Sequence, residues 1–201
     1  MRDLHGVVRL AFILACFCAT PSFAGTAGRF EGWQPEPGVD PPSYAVIDPQ
    51  STDLNIDSVV LACEEAGDRR VLQLQIYLST EGPLGPKGVS RQRLKEDSRA
   101  EIAIDGRIFP VGILFADEYA VLADETERMV PQLSERLLDA MEKGRTMILR
   151  FDLVAELAGQ PLAFDGEAVI TLQAGGGGKA VSAVRRCAAA VGVAGAAHDG
   201  P

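Results

Sequence analysis

Few side chains in this sequence can do chemistry. Only two of its 201 residues are histidines, His5 and His198, and four are cysteines. Ser–His and Cys–His nucleophiles need an imidazole held inside the fold, and Cys/His zinc sites need several such ligands close together. Neither set is available. The run Gly175-Gly176-Gly177-Gly178-Lys179 invites comparison with a phosphate loop, but Gln173 and Ala180 stand where that motif needs Gly and Ser or Thr. It reads instead as a strand-to-helix connection. Paired carboxylates remain: Glu64-Glu65, Asp117-Glu118, and Asp124-Glu125 with Glu127. Such pairs suit acid–base work or a calcium ion. They lack the alternating Asp/Asn spacing of a calcium loop, and in an acidic chain they read as solvated turns. The expectation is no catalytic residue, no metal and no cofactor.

A second set of charges is more promising. Lys87, Arg91, Arg93, Lys95 and Arg99 cluster within 79–99, a long excursion marked by Gly82-Pro83 and Gly85-Pro86. In a chain of net charge −9 and pI near 4.7 this basic segment can meet an acidic protein surface, a lipid headgroup or an anionic glycan. It can equally be a solvated loop balancing Glu96, Asp97 and Glu101. The overall charge argues against nucleic acid, whose binding requires clustered Lys and Arg to neutralise phosphates.

The N-terminus has the parts of a secretory signal. Arg2 and Arg9 flank a polar start, Leu10 to Ala19 is apolar, and Ser22-Phe23-Ala24 is a small-x-small cleavage site. The apolar run is too short to span a bilayer, for which about 20 residues are needed. Cleavage after Ala24 takes 24 residues from 201, leaving 177, and shifts the net charge from −9 to −10. It also leaves two cysteines, Cys63 and Cys187. In an oxidising compartment these are expected to form one intramolecular disulfide, with free thiols or intermolecular pairing as the alternatives. The expected location is the periplasm or outside the cell, with no transmembrane span after cleavage.

The elements that would position these groups can be read from periodicity. Residues 25–56 are Pro-rich and predict an extended lead-in, interrupted by Phe30, Trp33, Tyr44, Val46 and Ile47, which are candidates to dock on the domain; a floppy linker is the alternative. Val59–Cys63 and Val71–Leu78 predict a hairpin, the second strand alternating Leu72, Leu74, Ile76 and Leu78 with polar neighbours. Asp105-Gly106 between apolar runs predicts another hairpin. Strand character returns at 111–115, 119–123, 147–153 and 167–172. Leu133, Leu137, Leu138 and Met141 stripe a helix from Pro131 to Lys143, closed by Gly144. A short helix over 180–190 would carry Cys187 onto the sheet. The fold class is therefore α+β and β-rich: an antiparallel β-sandwich-like sheet with one amphipathic helix and a short C-terminal helix. The domain runs over 57–190 and a disordered tail over 191–201. A hydrophobic content of 47% supports a real core.

The order of features resembles a known group. A signal is followed by a strand ending in Cys63, an Ile-x-Ile-Asp-Gly hairpin at Ile102–Gly106, a Leu-Leu-x-x-Met-x-x-Gly helix end at Leu137–Gly144, and a closing Ala-Val-x-x-Val-Arg-x-Cys helix at Ala180–Cys187. This is similar to small exported alphaproteobacterial proteins of the invasion-associated locus B type. The resemblance implies a periplasmic β-sandwich-like module acting at the envelope, with no catalytic residues to carry over. The expected function is non-enzymatic binding of a protein or envelope component through a sheet edge or the 79–99 segment. The alternative is a small-ligand carrier with a pocket between the sheet and the 131–143 helix.

Overall fold

The computed structural model describes residues 30–80, 82–87, 94–116, 119–127, 129–154 and 164–194. The expected signal at 1–24, Arg91, Arg93, Asp117-Glu118, and the tail from residue 195 with His198 lie outside the described residues. Among the described residues ten strands are present: β1 (Gln34–Pro35), β2 (Tyr44–Ile47), β3 (Ser51–Thr52), β4 (Ile56–Ala66), β5 (Arg69–Leu78), β6 (Leu94–Ile104), β7 (Arg107–Phe115), β8 (Tyr119–Ala123), β9 (Thr146–Val154) and β10 (Gly166–Thr171). Two helices, α1 (Glu135–Lys143) and α2 (Gly177–Ala194), complete the fold. Among the described residues no helix is long and apolar enough to cross a membrane.

The alternation in Val71–Leu78 determines how β4 and β5 meet. Leu72, Leu74 and Ile76 lie opposite Cys63, Leu61 and Val59, so one face of the hairpin is apolar throughout. The Asp105-Gly106 turn joins β6 and β7 with φ of 47° and 84°, the two positive angles that the tightest hairpins require. Asp105 also accepts backbone N–H bonds from Arg145 and Thr146, each at 3.0 Å, which hold its carboxyl below the usual value. Neighbouring strands pair antiparallel in the order β1-β2-β4-β5-β8-β7-β6-β9-β10-β3. β7 links the two halves: Arg107–Val111 pair with β6, whereas Gly112–Phe115 pair with β8. The result is a single sheet curled into a half-barrel with the helices packed on it, broadly the β-rich α+β class expected.

Two helix boundaries change. The helix at 131–143 starts later, at Glu135, because Ser134 is its N-cap: its hydroxyl accepts the Leu137 N–H. Pro131 lies in the preceding segment, where Gln132 and Glu125 form a bridge. The C-terminal helix is longer than 180–190, since Gly177–Gly178 already belong to it.

The Pro-rich lead-in is woven into the sheet. Trp33 is only 1% exposed, and Ala45 and Ile47 are fully buried. β1 and β3 are two residues each, β1 ending on Pro35, and these short strands cap the two sheet edges. The chain passes from β2 at one edge to β3 at the other and back to β4. Gln50 N–H donates to Val169 C=O at 2.7 Å, and Glu167 N–H donates to Asp53 Oδ1 at 2.7 Å, so the crossing is stitched to β10. The bulk of Trp33 packs at the start of α2, where space is tight. A Cβ on Gly177 would sit 1.7 Å from Leu172 O, and one on Gly32 would sit 2.2 Å from Ala174 O. Gly177 and Gly178 thus form a close-packed junction, whereas Gly175 and Gly176 turn the chain with φ of 61° and 83°.

Candidate functional site

The basic excursion does not stay together as one loop. Its start is packed: Leu84 is buried, Asn55 Nδ2 donates to Pro83 C=O at 3.1 Å, and Lys87 N–H donates to Asp53 C=O at 2.8 Å. Its end is strand, because β6 begins at Leu94. Lys95 and Arg99 both turn onto the Asp152 carboxylate of β9, which is fully buried. Burial pushes that carboxyl up, but the hydrogen bonds and charges of Lys95 and Arg99 outweigh it and hold it below its ordinary value. Two of the five cations singled out from sequence therefore support a buried acid. Lys87 is exposed.

Three of the carboxylates singled out from sequence, Asp124, Glu125 and Glu64, are likewise engaged. Asp124 accepts from Ser134 N–H at 2.7 Å and from its hydroxyl, bracing the α1 cap. Glu125 accepts from Gln132 Nε2 at 2.7 Å. Glu64 accepts from Gln75 Nε2 at 2.8 Å on the outer face of the sheet. These carboxylates hold turns and strands in place.

The structure instead brings four arginines to one cleft. β8 pairs with β5 only from Leu74 to Tyr77; beyond Leu74 the segment leading into α1 takes over, with Leu133 N–H donating to Leu72 C=O at 2.7 Å. α2 closes the third side. Its Cys187 is disulfide-bonded to Cys63 of β4, with Cα atoms 6.3 Å apart, the intramolecular bridge expected from sequence. Between these elements lies an open cleft of about 460 Å³, within the size range of small-ligand sites. Arg69 and Arg70 enter it from β5, and Arg185 and Arg186 from α2. Leu72, Leu133, Leu138 and Ala188 supply apolar wall.

The four guanidiniums are not equivalent. Arg185 pairs with Glu135, and its Nη1 donates to Asp139 at 2.8 Å and to Glu142 at 2.7 Å. Burial alone would lower its pKa, but the three carboxylates raise it overall. Arg185 is thus a neutralised strut joining α2 to α1. Arg186 reaches Asp40 at 2.8 Å in a pair exposed on both sides, which contributes little and opens easily. Arg69 donates to Gln132 Oε1 at 3.1 Å, and Arg70 to Cys187 Sγ at 3.2 Å. Both acceptors are uncharged. Among the described residues no carboxylate pairs with Arg69 or Arg70, so two guanidiniums without an acidic partner line the cleft of an acidic protein.

Sequence reasoning did not single out these arginines. Arg70 and Cys187 are 117 residues apart, and two Arg-Arg dipeptides look like ordinary surface charge. A signal was present nonetheless. Arg185-Arg186 immediately precede Cys187, Cys63 faces Leu72 across the hairpin, and Leu72 is two residues from Arg70. The disulfide therefore places both dipeptides together. Comparison with known proteins gives no matching family model, no matching curated protein and no matching solved structure, so the chemistry of the cleft rests on its own geometry.

Proposed function

We propose that this chain is an exported, non-enzymatic binding module whose cleft between β5, α1 and α2 holds an anionic group of a protein or envelope partner. One observation carries the reading: Arg69 and Arg70, with only neutral acceptors, face a cleft of about 460 Å³ with apolar walls. Guanidinium forks recognise carboxylates and phosphates through charge-assisted hydrogen bonds, which are stronger than neutral ones. The Cys63–Cys187 bridge supports an oxidising location such as the periplasm, and the resemblance to exported envelope modules points the same way. Of the 79–99 segment, Lys95 and Arg99 are engaged with Asp152, and Arg91 and Arg93 lie outside the described residues, so the proposal is placed on the cleft.

The small-ligand carrier is a second reading, favoured by the same cleft's position between the sheet and α1. The two differ in what the cleft encloses, since a carrier would surround its cargo and a docking site would grip only one end. The test is an NMR titration of residues 25–201 with N-acetyl-leucine, a carboxylate with a short apolar arm. Shifts confined to residues 69–72, 132–138 and 185–189, and lost in R69Q/R70Q, support the anion site. No shifts, or shifts unchanged in the double variant, reject it.

A further inference from the structure

Building on the anion-binding reading of the cleft, we propose that its ligand is the C-terminal end of an extended polypeptide, which adds as a short strand beside Arg70 and places its terminal carboxylate among the arginines. The backbone carries this step. Leu72 C=O accepts the Leu133 N–H at 2.7 Å, so the in-plane backbone groups of Leu72 point away from β4 and toward α1. Groups two residues apart on a strand point the same way, and so the Arg70 N–H and C=O face that side too. Among the described residues no strand pairs there, since β8 pairing begins only at Leu74. The cleft thus presents a stretch of sheet edge, two guanidiniums and an apolar wall within one small volume.

These are the components that recognise a chain end. A peptide strand supplies a carbonyl and an N–H to the edge, as in strand addition. Its terminal carboxylate, a charge at a fixed end, suits Arg69 and Arg70. Its last side chain can lie against Leu133, Leu138 and Ala188. A fatty acyl chain is a poorer match, because the cleft is open and half of its wall is charged. A phosphate alone leaves the sheet edge unused. Edge pairing also explains why this opening is short: Leu133 fills the next edge position, so only a chain end fits, and a through-running strand does not.

The test is fluorescence anisotropy on residues 25–201 with a fluorescein-labelled hexapeptide, Gly-Ser-Gly-Ala-Val-Leu. It is compared with the same peptide amidated at its C-terminus and with versions N-methylated singly at the last three amides. The comparisons among peptides use the wild-type protein, so they do not depend on a variant folding. The free terminus should bind roughly tenfold or more tightly than the amide, as expected for loss of a charge-assisted pair. At least one N-methylation should weaken binding about fivefold, as expected for one neutral hydrogen bond. R70Q should bring the free peptide to the affinity of the amide. Equal binding of free and amidated peptides overturns the proposal. If N-acetyl-leucine still shifts the cleft resonances in that case, the anion site stands and only the chain-end ligand falls. If N-acetyl-leucine is also silent, both readings fall together.

Discussion

Replacing both bridging cysteines in C63A/C187A separates the disulfide's effect on stability from its effect on the cleft. The bridge closes a span of 124 residues, and releasing a loop of that length returns entropy to the unfolded chain worth about 5 kcal/mol. Realised losses are smaller, about 2–4 kcal/mol. The native end state should change little, because α2 has other anchors. Val181 and Val184 are fully buried, and Arg185 is bound to three carboxylates of α1. A loss of about 3 kcal/mol corresponds to a fall of roughly 10 °C in Tm for a chain of this size. The assay is reversible urea unfolding followed by Trp33 fluorescence, since Trp33 is the one tryptophan and is buried. The m-value should rise, because an uncrosslinked chain exposes more surface when it unfolds. N-acetyl-leucine should still shift the cleft resonances in the folded variant. A stability loss below about 1 kcal/mol with an unchanged m-value refutes the entropic account.

Three further outcomes are expected. G177A forces a Cβ to 1.7 Å from Leu172 O, so thermal melts should show a loss of about 3 kcal/mol or more, or no folded protein; a Tm equal to wild type contradicts the packed junction. W33A removes a fully buried ring from a segment that sequence placed outside the domain, and urea unfolding followed by circular dichroism should register about 3–5 kcal/mol. D152N leaves Lys95 and Arg99 without their acid and should cost about 2–3 kcal/mol, below the range for fully buried pairs because Arg99 is 55% exposed. Because the folded Asp152 pKa is depressed, its stabilisation is present above the unfolded value near about 3.9 and is lost as pH falls through the folded value. Wild-type stability should therefore drop more steeply below about pH 4 than that of D152N.

Local rules read much of this fold. Alternation located β5 and its inward residues, Asp-Gly located the β6–β7 turn, and the Leu137–Met141 stripe located α1. What they missed depends on contacts distant in sequence. Proline content marked 25–56 as irregular, yet a two-residue strand tolerates prolines, and Trp33 is buried by α2 from the far end of the chain. Lys95 and Arg99 looked free because their partner Asp152 sits more than 50 residues away. The cleft arises because β8 is shorter than β5, and strand length against a neighbour leaves no mark in hydrophobic periodicity. Only the two cysteines carried long-range information, and they pointed to the right place.

The crossing from β2 to β3 and back to β4 has a bearing on the order of assembly. β3 is made early but pairs with β10, whose register joins Ser51 to Val169, and Trp33 finds its pocket only against α2. A chain that emerges from its N-terminus, from a ribosome or through a membrane pore, cannot complete either contact until its last residues arrive. β3 and Trp33 must wait for the C-terminal elements, so these two contacts close late. Such long-range pairing is slow in kinetic terms. It also means that a truncated or stalled chain lacks the closing contacts altogether and leaves the early strands uncovered.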